Sequence, residues 1–174
     1  YGYEMITFGQ KDADVAAPHM VMSAFARNAF DPMDFTPVSL YKIPRINRKT
    51  SSAFELATSV IFLSGIQHYV EGPDGMAKMP LAVKEYMQTV PVAWDEVKFI
   101  DGYPGKYYAV GRRAGKKWYV AAINGDSVSK QIPVNFSFIG TNGTNKTGNI
   151  FHTNENGEIV TESYPVKPGE RKMM

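Results

Sequence analysis

The sequence contains no cysteine. Disulfides, thiolate nucleophiles and zinc–thiolate sites are thereby excluded, although the absence does not assign a compartment, since many exported bacterial proteins also lack cysteine. Histidine is scarce. His19, His68 and His152 lie far apart and form no His-Glu-x-x-His arrangement. His68 and Glu71 are three apart but no third ligand accompanies them, so a metal site built wholly from this chain is not expected. Charge of one sign is also missing: 19 basic against 17 acidic residues leave a net charge of +2, without the basic excess that marks nucleic-acid binders. No apolar run approaches the ~20 residues that span a bilayer. Gly102-Tyr103-Pro104-Gly105 reads as a turn and not a phosphate cradle, there is no Gly-x-Ser-x-Gly elbow, and neither an internal repeat nor a low-complexity tract is present. A signal peptide is not seen either. The chain begins at Tyr1 and closes on Pro168 to Met174, where one more strand would begin, so both ends read as truncations.

What is present is an ordinary globular balance, 174 residues with 44% hydrophobic and 21% charged, enough to bury a sizeable core. Two halves differ in character. Up to about residue 95 the pattern is helical with irregular loops. Ser52-Ala53-Phe54-Glu55 has the form of a capping box, and the apolar run after it predicts a deeply buried helix over about 52 to 64 with Gly65 as its stop. A helix from Pro80 to before Pro91 and a short one within 14 to 29 are also expected, with Phe30 to Pro37 extended. From about 97 onward the chain reads as short strands. Tyr107 to Arg112 and Trp118 to Ile123 flank a turn at Ala114-Gly115, and a second pair meets across Asn156-Gly157. Ile132, Val134, Phe136 and Phe138 alternate as in a strand, with Pro133 confining it to an edge. Asn142 to Gly148 reads as a polar loop.

Acidic residues are the candidates for chemistry. Glu4 sits among apolar and aromatic neighbours in Gly2-Tyr3-Glu4-Met5-Ile6-Thr7-Phe8-Gly9, surroundings that raise a carboxyl pKa toward that of a general acid; a surface glutamate is the plain alternative. Asp31 and Asp34, in Phe30-Asp31-Pro32-Met33-Asp34-Phe35-Thr36-Pro37, could bind a metal or sugar hydroxyls, or simply shape a turn. The 10 Tyr, 10 Phe and 2 Trp suit sugar stacking as well as core packing. Trp118 and Tyr119 point to opposite faces of one strand, so at most one is expected in the core. Arg112, Arg113, Lys116 and Lys117 read as a solvated hairpin tip. The three matches to Asn-x-Ser/Thr carry no information.

Several of these segments together resemble glycoside hydrolase family 97, the Bacteroides-type α-glucosidase and α-galactosidase family. Gly2 to Gly9 is similar to its Gly-x-Glu stretch. Phe25-Ala26-Arg27-Asn28 and Asp31-Pro32-Met33-Asp34-Phe35-Thr36-Pro37 are similar to its Phe-Thr-Arg and Gly-Pro-Met-Asp-Tyr-Thr-Pro stretches. Glu55-Leu56-Ala57 with Ser64-Gly65-Ile66-Gln67-His68, then Val90 to Glu96, Asp101 to Gly105 and Trp118 to Gly125, follow in the family's order. Tyr1 stands where the family has Arg, and Asp31 where it has Gly.

The resemblance implies an α+β chain: residues 1–95 as the last part of a (β/α)8 barrel, and residues 96–174 as an antiparallel, sandwich-like β-domain. It implies Glu4 as the general acid of an α-glycosidase, acting on α-glucosides first and α-galactosides second. The second carboxylate lies upstream, so inversion and retention are not distinguished and the fragment alone is expected to be inactive. Asp34 is a candidate substrate-binding residue. Calcium is implied for the full-length protein, on ligands outside this chain. The expected partners are an oligosaccharide substrate and the rest of the parent chain, with no nucleic acid and no membrane span, and the expected location is periplasmic or secreted. The rival reading is a non-catalytic carbohydrate-binding or structural β-module, which would need neither the buried helix nor the Gly-x-Glu.

Overall fold

The structure is a computed structural model, and it describes residues 9–34, 39–41, 43–140, 146–167 and 169–173. The chain order is α1 (Gln10–Phe25), α2 (Ser52–Ile61), α3 (Pro73–Lys78), α4 (Leu81–Thr89), β1 (Glu96–Tyr103), β2 (Tyr107–Ala114), β3 (Lys117–Asn124), β4 (Pro133–Asn135), a 3-10 turn (Phe136–Ile139), β5 (Lys146–Thr153), β6 (Ile159–Val166) and β7 (Arg171–Met173). It is a mixed α+β architecture whose strands pair antiparallel throughout the described residues.

Helix α2 is the axis of the first half. Its N-cap is Ser51, one residue before the expected box: the Ser51 hydroxyl accepts from the Phe54 N–H at 3.1 Å. Ser52 and Glu55 are thereby freed for longer-range bonds. Eight of its ten residues are buried, among them Leu56, Val60 and Ile61. Burying each large aliphatic side chain is worth about 1.5–3 kcal/mol, which explains why so short a helix is secure. It ends at Ile61, before Gly65, because Phe62 turns extended and carries its fully buried ring into the core. Helix α1 starts earlier than the pattern suggested and runs through Pro18. Helix α3, introduced by Pro73, has only Gly75 buried. Helix α4 begins after Pro80 as expected and buries Val83 and Met87.

In the second half, β1, β2 and β3 form a sheet in that order. Pairing of Tyr108 with Ile123, Val110 with Ala121 and Arg112 with Tyr119 puts these six on one face. That face meets α1 and α2: Val110, Ala121 and Ile123 share a core with Ala13, Ala16, Met20, Val21, Ile61 and Phe62. Gly125 permits the closest approach, since a Cβ there would lie 2.8 Å from the Pro18 Cα and 2.9 Å from the Gly105 carbonyl. The opposite face, at Gly111, Trp118 and Val120, carries Phe138 and a cluster of Val134, Phe136 and Val166.

Trp118 and Tyr119 therefore each gain aromatic company on separate faces: Trp118 lies 4.7 Å from Phe138, and Tyr119 lies 5.3 Å from Trp94. The β5–β6 hairpin crosses back to the helices, where Ile159 joins Leu40, Leu56, Val83 and Met87. Two of the three cores thus contain residues from both sides of position 95.

Three expectations are corrected. The alternating run from Ile132 is a strand only over Pro133–Asn135, then tightens into the 3-10 turn, because the Asn135 side chain accepts from the Ser137 N–H at 3.0 Å. Of the expected polar loop, Lys146, Thr147 and Gly148 belong to β5. The chain's close does hold a strand, β7, paired with β4.

Candidate functional site

Helices α1 and α2 begin at one end and finish at the other. At the starting end the Gln10 side chain exchanges two bonds with the Asn47 backbone, donating to its carbonyl at 2.9 Å and accepting from its N–H at 2.8 Å. Asn47 lies four residues before the Ser51 cap. At the finishing end Asn28, just past α1, does the same with Leu63, just past α2: its amide donates to the Leu63 carbonyl at 2.9 Å, and its oxygen accepts from the Leu63 N–H at 2.7 Å. The segment between the helices joins these ends. Met33 is fixed at the finishing end, its N–H on the Leu63 carbonyl at 3.0 Å. Leu40 is fixed at the starting end, where the Ser52 hydroxyl donates to its carbonyl at 2.8 Å. Met33 and Leu40, seven positions apart, thus lie at opposite ends of the two helices.

The loop from Ser39 to Thr50 occupies that starting end and rests on charged groups. One Glu71 carboxylate oxygen accepts from the N–H groups of Leu40 at 2.6 Å and Tyr41 at 2.8 Å; the other accepts from Gly72 at 3.1 Å. Gly75 leaves room for this carboxylate, since a Cβ there would lie 1.9 Å from it. Arg48 donates to the Ser52 hydroxyl at 2.9 Å. Burial holds its guanidinium below the ordinary arginine range, against the attraction of Glu55 and Glu71. Glu55, 1% exposed, accepts from the Thr50 hydroxyl. Beside the loop is an open cleft of about 330 Å³, lined by Ser39, Tyr41, Ile43, Val70, Glu71 and Asp74 among others, at the small end of ligand-sized pockets.

The two candidate site residues fall differently. Glu4 lies outside the described residues, as do Phe35 to Val38. Gln10 is six positions further along the chain than Glu4, a reach of at most ~20 Å. Asp34 is exposed and follows Met33 at the finishing end; Asp31, also exposed, accepts on its carbonyl from Asn28 at 3.3 Å. The described residues do not bring Asp34 to the cleft. His68 and Glu71 do not act together, Glu71 being engaged by backbone. Among the described residues no three His, Asp or Glu converge as a metal-ligand group.

The basic run is corrected as well. Arg112 is not at a solvated tip but 6% exposed, and its guanidinium donates to the Ile61 carbonyl at 3.0 Å, capping the last turn of α2 from the β-sheet. Burial lowers its pKa, partly offset by Tyr108. Arg113 pairs with Asp95 at 3.3 Å and Glu96 at 3.1 Å. Neither Arg48, Glu71 nor Arg112 stands out from its sequence neighbours; Arg48 bonds Ser52 and the Leu40 carbonyl, 4 and 8 positions away, and the partners of Glu71 and Arg112 lie 30 or 31 and 51 positions away.

Comparison with known proteins bears on the same regions. Residues 93–172 match the family model described as "Glycosyl-hydrolase 97 C-terminal, oligomerisation". A probable retaining α-galactosidase of Streptomyces bingchenggensis is 31% identical over 127 residues, 72% of this chain and 20% of its own length. A retaining α-galactosidase of Bacteroides thetaiotaomicron is 26% identical over 180 residues, 95% of this chain and 26% of its own. The chain thus spans about a quarter or less of the curated relatives it matches. Among solved structures, a β-arabinopyranosidase superposes with a TM-score of 0.81 at 28% identity, covering 97% of this chain and 27% of its own. A glycoside hydrolase family 97 enzyme from Pseudoalteromonas, in complex with panose, gives 0.76 at 22% identity, covering 95% and 28%; at that identity the likeness is one of fold.

Proposed function

Starting from a chain that belongs to glycoside hydrolase family 97, we propose that the full-length protein is a retaining α-glycosidase in which Glu4 is the general acid. One observation carries the reading furthest: the segment containing Glu4 leads into Gln10, and Gln10 is bonded to the loop that occupies the starting end of both helices. Residues 1–95 are proposed as the close of a (β/α)8 barrel, whose active sites lie on the face where the helices begin, and residues 96–174 as the accompanying β-domain. The layout of α1, the 33–40 segment and α2 supports this.

The names of the two curated relatives favour an α-galactoside over an α-glucoside, and retention over inversion. Retention requires two carboxyl groups about 5–5.5 Å apart. One attacks the anomeric carbon while Glu4 protonates the departing oxygen; water then breaks the glycosyl–enzyme bond with Glu4 as base. The nucleophile is proposed to lie in the full-length protein outside these residues, as are the ligands of any calcium, and no step here runs through the metal. A periplasmic or secreted location belongs to the same proposal.

Asp34 joins the site only if the sugar reaches along the segment from Leu40. Asp34→Asn would then raise KM for the glycoside about tenfold with kcat little changed, the mark of lost uniform binding; an unchanged KM removes Asp34 from the site. For Glu4 the test is Glu4→Gln in the full-length protein, with a loss of ~10²- to 10⁴-fold in hydrolysis.

A further inference from the structure

The loop at the starting end is held more elaborately than a surface connection needs. The Leu40 peptide is gripped on both sides. Its N–H donates to Glu71 at 2.6 Å, while its carbonyl accepts from Ser52 at 2.8 Å. The next N–H, of Tyr41, goes to the same Glu71 oxygen at 2.8 Å. Further along, Asn47 is tied to Gln10. Between these anchors Arg48 bonds Ser52 and is drawn toward both Glu55 and Glu71. Bonds to an ionised carboxylate are about twice as strong as neutral ones. Here they are directed at two consecutive backbone donors from a residue 30 and 31 positions away, and both Glu71 and Tyr41 line the cleft.

All three oxygen-to-backbone bonds of Glu71 point inward to the loop and its own neighbour, Gly72. The carboxylate is therefore committed on both oxygens to fixing backbone. What it fixes is the chain immediately following the 33–40 segment, together with Tyr41 on the cleft wall.

We propose that Glu71 is a positioning residue for substrate. By holding the peptides of Leu40 and Tyr41 it sets the shape of the Ser39 to Thr50 loop on the face that receives the glycoside. This rests on the glycosidase reading above and deepens it, assigning the loop to sugar binding and Glu71 to the loop. Glutamine in its place can present one oxygen to Leu40 and Tyr41, but its amide would face the Gly72 N–H donor to donor, and the charge would be lost.

The experiment uses the full-length protein with Glu71→Gln, and with Glu85→Gln as a control on the exposed face of α4, outside the cleft lining. Hydrogen exchange of the Leu40 and Tyr41 amides is measured alongside steady-state kinetics on an aryl α-galactoside. The expected result is exchange faster by about tenfold or more at both amides. A rise in KM of about fivefold, with kcat within about twofold, accompanies it, and Glu85→Gln matches the parent. Faster exchange with an unchanged KM in an active enzyme overturns the proposal and leaves the glycosidase reading standing. Unchanged exchange overturns it too. A parent without α-glycosidase activity defeats the reading, and the proposal with it, whatever the exchange shows. Should Glu71→Gln not fold, Gln10→Ala loosens the loop's other anchor from an exposed position. It is expected to raise KM about two- to threefold, and no rise contradicts the proposal.

Discussion

Arg112 illustrates how much a single side chain can join. It leaves a strand of the β-sheet, crosses the core shared with α1 and α2, and donates to the last helical carbonyl of α2 at 3.0 Å. Its Nε finds no hydrogen-bond partner among the described residues, and the bond its guanidinium makes to α2 is to a neutral backbone carbonyl. Replacing such a group by an apolar one of similar volume is often neutral, whereas truncation leaves a cavity and an orphaned acceptor. Arg112→Met is therefore expected to unfold within about 1 kcal/mol of the parent, and Arg112→Ala about 2–3 kcal/mol less stable. Denaturant unfolding distinguishes the two. Equal, large losses for both would mean that the guanidinium bond outweighs its desolvation. The sequence concealed this residue, since Arg112 belongs to a run of four basic residues around Ala114-Gly115, and only the strand register turns it inward while Arg113 turns out to Asp95 and Glu96.

Among the elements, the two long hairpins were legible because their causes are local. Gly115 and Gly157 take φ of 57° and 79°, a left-handed region that favours glycine, between runs of strand-forming residues. Helix α2 was legible from its apolar content, but not its cap, since Ser51 and Ser52 are both competent and the choice depends on Leu40 accepting from Ser52. The run from Ile132 to Phe138 misled for a related reason: alternation fits both outcomes, and a side-chain bond from Asn135 decides between them.

The packing of α2 against α4 carries its own prediction. Burial pushes the Tyr69 hydroxyl up to about 12, and burial raises that of Tyr86, which bonds Ser59 at 2.8 Å, above the ordinary tyrosine range. Each folded-state value exceeds the unfolded one, near 10, so the folded state holds its protons longer. The stabilisation is complete below pH ~10 and is lost as pH rises through ~12. Unfolding followed by tyrosinate absorbance should show stability falling in that window, with a shallower fall in Tyr69→Phe. A stability flat across it would contradict the burial of both rings.

For the whole molecule, the helical part and the β-sheets are fastened by shared cores, by Arg112 and by the bond from the Ala53 N–H to Thr153 at 3.2 Å. Family resemblance made the order of the parts readable, while the fastening depends on pairs 50 to 100 residues apart that no local pattern announces. The candidate site was readable in the same uneven way. Glu4 and Asp34 are proposals from motif context that the described residues leave untested; the bonds of Glu71 and Arg48 and the anchoring of Met33 and Leu40 emerge only from contacts.

The most direct test of the account is hydrolysis of paired aryl and alkyl α-galactosides by the full-length protein and its Glu4→Gln variant. Alkyl leaving groups need protonation and activated aryl ones scarcely do. The account predicts a loss of ~10²- to 10⁴-fold on the alkyl glycoside with a much smaller loss on the aryl one. Equal rates for parent and variant on both substrates would contradict it.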